Sequence, residues 1–256
     1  MREALAKPTV RAESVLDGIF AQAVVVLEAD TDRTVYQAVW EALQDEVRRD
    51  IHFAAVGGTG GIADTCQLYR TLRIPVAVVA DLDLIVDTAK LRRILTVLST
   101  PERTLELFEK AAALAERIRA LPPEIAPADV RQQLTSILEL QMDWRNGDDA
   151  TVRGRLSETG NALDRMRRLK RGGVASLPND IGRLAGEVLT ELQGAGLFLV
   201  PVGELEEWLK DEVTVSKANK WAWANEAAAK ARSIEPRESD VWAFMRGVGA
   251  YLTAST

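Results

Sequence analysis

The run Pro75-Val76-Ala77-Val78-Val79-Ala80, followed at once by Asp81-Leu82-Asp83, decides how this chain is read. A second run of the same kind, Val24-Val25-Val26-Leu27, leads into Glu28-Ala29-Asp30-Thr31-Asp32. Short, near-continuous apolar runs fit strands buried on both faces, as in a parallel sheet. An open α/β sheet builds its ligand site beyond the carboxyl ends of such strands. Two of these ends side by side gather four or five carboxylates in a small volume. Like charges that close repel, so a cation must neutralise them. Acidic oxygens with no softer ligand nearby favour Mg²⁺ or Mn²⁺.

Working outward, residues 51–56 form a third apolar run, and 24–28, 51–56 and 75–80 are expected to be strands. Val35, Val39, Leu43 and Val47 recur every four residues between the first two. Ile62, Cys66, Leu68, Tyr69 and Leu72 line the next interval. Both spacings predict helices, and strand alternating with helix is the pattern of a parallel sheet. The turn Val56-Gly57-Gly58-Thr59-Gly60-Gly61 is rich enough in glycine to let backbone N–H groups face a phosphate. It matches neither common glycine-rich phosphate fingerprint.

From about Leu91 to Gln193 the pattern is helical only. Leu105, Leu107, Phe108, Ala112, Leu114 and Ile118 form one amphipathic stretch, broken at Pro122-Pro123. Val130, Leu134, Ile137, Leu138 and Leu140 form another, and Ile181, Leu184, Val188 and Leu192 a later one. A strand returns in Gly196-Leu197-Phe198-Leu199-Val200-Pro201. The following Val202 to Leu209 segment is expected to open a helix. Trp208, Trp221, Trp223 and Trp242 are expected to pack in the core.

The chain has 256 residues, 47% of them hydrophobic and 27% charged, the balance of a soluble globular protein. No apolar run is long enough to span a bilayer, and the first residues lack the apolar centre of a signal peptide. A single cysteine, Cys66, excludes an internal disulfide and fits a reducing cytoplasm. A single histidine, His52, excludes a His-rich metal centre and argues against a triad mechanism, so it reads as structural. The formal net charge of −6 argues against a protein that coats nucleic acid generally. Between Thr151 and Gly172, however, seven basic residues (Arg153, Arg155, Arg165, Arg167, Arg168, Lys170, Arg171) face only two acids, Glu158 and Asp164. That stretch is either a solvated helix face or a contact for a phosphate backbone.

Glu28 at the end of the first strand, Asp32 four residues later, Asp81-Leu82-Asp83 after the third strand and Gly203-Glu204-Leu205-Glu206 after the last together resemble the Toprim domain of the OLD (overcoming lysogenization defect) nucleases. The lead-in Ser14-Val15-Leu16-Asp17-Gly18-Ile19-Phe20 is similar to the segment that joins the ATPase part of those proteins to their Toprim part. Two positions depart from the family pattern: Ala29 stands where a glycine often follows the first glutamate, and Thr59 where the glycine turn often has lysine. The resemblance implies an α/β, Toprim-like Rossmannoid parallel sheet with a helical insertion and C-terminal helices. Residues 1–97 would be the first part of the core with its lead-in helix, 98–193 the helical insertion, and 194–256 the last strand, the acidic motif and the final helices.

The same resemblance implies a metal-dependent DNA endonuclease, nicking or cutting by two-metal phosphodiester hydrolysis, with phage defence as the expected setting. Glu28, Asp32, Asp81, Asp83, Glu204 and Glu206 would hold two Mg²⁺ or Mn²⁺ ions, with Glu28 and Asp81 central to the chemistry. Lys217 and Lys220 are candidates to offset charge on the phosphate, and Arg165, Arg167 and Arg168 to contact DNA. Expected partners are DNA and an ABC-type ATPase domain, in the same or another chain; a homo-oligomer stays open. No motif of that ATPase is present in this sequence. Plainer roles also stand. Asp32 could cap a helix beginning at Arg33, and Glu204 and Glu207 could be first-turn acids that suit a helix dipole. Asp30 is expected to point to solvent, and Asp87 to be a cap or surface residue. Asp81 and Asp83 have the weakest plain reading, since two aspartates after six apolar residues are costly to bury without a cation. The competing functions are a non-catalytic Toprim-like module serving an ATPase, which a lost carboxylate would have favoured, and primase-type nucleotidyl transfer, which no accompanying module supports.

Overall fold

The structure is a computed structural model that describes residues 12–43, 50–123, 125–139 and 148–255. Its centre is a four-stranded sheet of β1 (Ala23–Leu27), β2 (Ile51–Ala55), β3 (Val76–Ala80) and β4 (Leu197–Leu199). The strand order is β2-β1-β3-β4 and every pair is parallel. The four expected strands are all present. The last one is shorter than its apolar run: Val200 N–H still donates to Ala80 O at 3.0 Å, and the chain turns at Pro201, which has no N–H to give.

Side chains alternate across the sheet, as the pleat requires. Val24, Val26, Val76, Val78, Leu197 and Leu199 face one core. There they meet α3 (Ile62–Thr71), α4 (Thr88–Leu98), α5 (Pro101–Ala120) and α9 (Asn179–Gly194). Val25, Leu27, Phe53, Ala77, Val79 and Phe198 face the other. That side is covered by α2 (Asp30–Ala42), α10 (Lys220–Ser233) and α11 (Asp240–Ala254). Helices on both faces explain why these strands are apolar almost throughout, His52 in β2 excepted. The short α1 (Ala12–Asp17) lies along the outer strand: His52 Nε2 is 2.7 Å from Ser14 O, and Ala55 N–H donates to Ser14 Oγ at 3.3 Å. His52 is thus structural, as its sequence context predicts.

Between α5 and α9 run α6 (Pro127–Leu138), α7 (Asp148–Leu163) and the basic α8 (Arg165–Gly172). The structure fastens α8 to the loop after β4. Val174 N–H donates to Pro201 O at 2.9 Å. Gly203 has φ 112° and Gly173 φ 55°. A Cβ on Gly203 would run into the carbonyl of Lys170, and one on Gly173 into the carbonyl of Pro201. Only glycine combines that backbone conformation with so close an approach.

Several sequence expectations need correction. The segment after β4 does not open a long helix. It makes one 3₁₀ turn, Leu205–Glu207, because Gly203 is held at a positive, non-helical φ while its carbonyl accepts from Leu82 N–H at 2.9 Å. Trp221 is 56% exposed. Helix α10 turns Trp223, Ala224, Ala227, Ala228 and Ala231 inward, and Trp221 lies two residues off that stripe. Leu72, Leu105, Leu134 and Leu138 are also exposed rather than lining a core. Val47 and Leu140 fall outside the described residues. Among the described residues no helix is long and apolar enough to cross a membrane.

Candidate metal and phosphate site

The sheet order sets the site. Strands β1, β3 and β4 are neighbours, so the segments that follow them emerge side by side at one sheet edge. Glu28 follows β1, Asp81 and Asp83 follow β3, and Glu204 and Glu206 lie on the loop after β4. Backbone bonds tie the β1 end to the turn after β2, and the β3 end to the loop after β4. Gly58 N–H donates to Glu28 O at 2.9 Å, and Leu82 N–H donates to Gly203 O at 2.9 Å. The glycine turn spends its N–H groups within the fold, since Gly58 bonds Glu28 and Gly61 bonds Gly58 at 3.1 Å. For Gly58 and Gly61 this replaces the expected exposure to a phosphate.

One pocket of about 280 Å³ is lined by Glu28, Asp32, Asp81, Asp83, Glu204 and Glu206. All six acids singled out in the sequence meet there. Asp32 does not precede its helix. It is the third residue of α2, and its Oδ2 accepts the N–H of Ala29 at 3.1 Å. That is half of a capping box, so Asp32 caps and faces the pocket at once. Asp30 is not the solvent-pointing residue expected: its side chain is 15% exposed and lies 3.4 Å from Arg33. Asp87 does cap α4, accepting from Lys90 N–H at 3.2 Å. It also lines the pocket.

Three lysines border the acids: Lys90, Lys170 and Lys220. Lys220 was legible in the sequence as a candidate. Lys170 Nζ is 2.9 Å from Asp83 Oδ2. Sequence reading placed Lys170 only within the basic run, because nothing local to it signals a neighbour so far back along the chain. Lys90 pairs with Asp87 at 2.7 Å. Lys217 does not line the pocket. It bonds Glu204 at 2.8 Å and Glu207 at 3.0 Å, holding the acidic loop from outside. Of the basic residues on α8, Arg167 is exposed. Arg168 is half-buried and donates to Ser176 O at 2.5 Å. The Arg165 side chain lies outside the described set.

Crowding of buried carboxylates shows in their proton affinities. Burial pushes the pKa of Asp81 up to about 8, and the charges of Asp32 and Asp83 add to it while Lys170 opposes. Burial likewise pushes Asp32 up to about 6, against the bond from Ala29 and with help from Glu28 and Glu206. Glu28 is raised by burial and then by Asp83. Burial disfavours the Lys170 ammonium, but its bond to Asp83 and the charges of Asp81 and Glu204 outweigh it and raise its pKa. Beneath the acids, burial and the charges of Asp32 and Asp81 raise the Tyr36 phenol well above its ordinary value.

The donor set is carboxylate oxygen throughout, which suits a hard divalent cation in kind. Raised carboxylate pKa values are what a cation would relieve. Among the described residues no group of three or more of these side chains is already close enough to hold an ion. The acids face one space, and their side chains would have to turn inward to share one.

A parallel sheet with helices on both faces, and acids gathered at adjacent strand ends, defines a Toprim-like fold and site. Residues 19–83 match the family model described as overcoming lysogenization defect protein-like, TOPRIM domain. This stretch of the chain is an OLD-like Toprim domain. The match spans Glu28, Asp32, Asp81 and Asp83, and ends before β4 and Glu204. Among solved structures, the C-terminal region of the Xanthomonas campestris pv. campestris OLD protein is similar at 16% identity. That alignment covers 92% of this chain and 95% of the other, with a TM-score of 0.37. No curated protein matches the chain.

Proposed function

We propose that this chain is a metal-dependent nuclease that hydrolyses phosphodiester bonds in DNA, with Glu28, Asp32, Asp81, Asp83, Glu204 and Glu206 as ligands of two Mg²⁺ or Mn²⁺ ions. The observation that carries this reading is the convergence of six acids from three adjacent strand ends on one pocket. The Toprim match over residues 19–83 supports it independently. Bound there, two divalent ions would activate a water, neutralise charge on the phosphate and stabilise the leaving oxygen.

The chain's own groups have distinct parts in this scheme. Burial of Asp32 and Asp81 lowers the local dielectric, which strengthens electrostatic interactions at those two carboxylates. Lys170 and Lys220 bring positive charge to where a phosphate must sit. Lys217 orients the Glu204–Glu207 loop through its two ion pairs. Arg165 and Arg167 of α8 are the candidates to meet the flanking backbone of a nucleic acid. An ATPase domain, in the same or another chain, and self-association are partners the reading leaves room for.

The deciding experiment incubates the protein with supercoiled plasmid in Mg²⁺, Mn²⁺ or Ca²⁺, with EDTA as control. Cleavage in Mg²⁺ or Mn²⁺ that EDTA abolishes is expected. No metal-dependent cleavage of any DNA or RNA, alone or with an ATPase partner, would leave only a binding module. Calorimetric titration with Mn²⁺ tests the ligands directly. Asp81→Ala combined with Asp83→Ala should abolish the binding seen in wild type, and unchanged heat would sink the assignment.

Helix α8 has its own test. Replacing Arg165 and Arg167 by Gln should weaken DNA affinity evenly across sequences. It should also reduce the log–log salt slope by about one unit per lost phosphate contact. An unaltered slope would make this a plain solvated face.

A further inference from the structure

Tyr36 lies four residues after Asp32 on α2, on the same helix face. Side chains on a helix lean toward its N-terminus, so a residue at this position covers the turn that holds Asp32. The ring is 1% exposed and packs against Phe244, with centroids 6.2 Å apart. Trp208 packs against the same Phe244 at 5.5 Å. Packing therefore fixes the body of the phenol, while its oxygen lies within electrostatic reach of Asp32, Asp81 and Glu206. Those three acids come from three different strand ends.

The hydroxyl at this crossing has no hydrogen-bond partner among the described residues, and neither has Trp208 Nε1. The indole N–H lies toward the phenol oxygen without the geometry of a full hydrogen bond. Leaving a buried hydroxyl unpaired costs about 1–3 kcal/mol, and most buried polar groups are paired. The negative charges that act on this hydroxyl are those of Asp32, Asp81 and Glu206, carboxylates that face the pocket.

We propose that Tyr36 is a positioning residue of the acid site: its hydroxyl donates to the Asp32 carboxylate when that group turns inward to ligate a divalent cation, and Trp208 Nε1–H donates to the phenol oxygen behind it. The inference rests on the metal-dependent reading above. A bond to one carboxylate oxygen fixes the direction of the other, and loss of such an orienting partner typically costs 10–100-fold in metal affinity.

The test is Mn²⁺ titration of the full chain by calorimetry at fixed pH and salt, with metal-free melting measured alongside. Tyr36→Phe keeps the ring and removes only the donor. It should bind Mn²⁺ about tenfold more weakly or worse, with metal-free melting unchanged or raised. Unchanged Mn²⁺ affinity would overturn the proposal, and a lowered melting point with unchanged affinity would make Tyr36 a packing residue. Trp208→Phe keeps an aromatic ring beside Phe244 and loses Nε1–H. It should weaken Mn²⁺ binding in the same direction, and it carries the test should Tyr36→Phe not fold. Wild-type protein that takes up no Mn²⁺ would overturn the metal-dependent reading and this inference together. Binding by wild type with equal binding by Tyr36→Phe would overturn this inference alone.

Discussion

Glu28→Gln is expected to lower plasmid nicking in Mg²⁺ or Mn²⁺ at least about a hundredfold, the scale of losing one preorganised electrostatic group at a reacting centre. Glu28 ends β1 directly beside β3, and its backbone carbonyl is pinned by Gly58 N–H. The substitution keeps the shape and that backbone bond, and removes one charge. A charge that holds an ion matters most where charge develops, so stabilisation of the transition state should fall more than substrate binding. DNA affinity measured in Ca²⁺ should hardly change. The comparison needs fixed salt, since affinity for a phosphate backbone varies steeply with it. Parallel losses of nicking and of Ca²⁺-supported binding would instead mark Glu28 as a binding residue.

The second large effect is on metal-free stability. Asp81 has its pKa raised to about 8 and Asp32 to about 6, in both cases first by burial. An acid whose folded pKa exceeds its unfolded one holds its proton better in the native state. Its contribution is complete below the unfolded pKa, near 4, and is lost as pH rises through the folded value. Stability without metal should therefore fall between about pH 4 and pH 8, mostly through Asp81. Asp81→Asn removes that titration. At pH 8 it should be more stable than wild type by a few kcal/mol in the absence of metal. Mg²⁺ should stabilise wild type at pH 8 and leave Asp81→Asn nearly unchanged. Denaturant unfolding at pH 5 and pH 8, with and without Mg²⁺, reads all four states. A metal-free wild type equally stable at both values would show that these carboxylates are not crowded.

The sheet was legible because its strands are short, nearly continuous apolar runs, and two of them, β1 and β3, end abruptly in acid. Val76 to Ala80, then Asp81, leaves little else to be. Glu28, Asp81 and Asp83 were found for the same reason, whereas Asp32, Glu204 and Glu206 were found through the spacing of the family motifs they resemble. What escaped was everything set by contacts distant along the chain. Lys170 meets Asp83 only because α8 is seated on the loop after β4, and no local pattern encodes that seat. Lys217 was read as a candidate to offset charge on a phosphate, and it braces Glu204 and Glu207 from outside the pocket. Trp221 and Trp223 look alike in sequence, and helix phase alone sends one to solvent and the other to the core. Asp32 showed both its capping and its site-facing character in advance, and both are present together.

The two interlocked glycines of the α8 seat have a mechanical consequence. Gly173 rests on the Pro201 carbonyl and Gly203 on that of Lys170, with no side chain between to act as a cushion. A side chain at either position would wedge the basic helix off the acidic loop, and would draw Lys170 away from Asp83 with it.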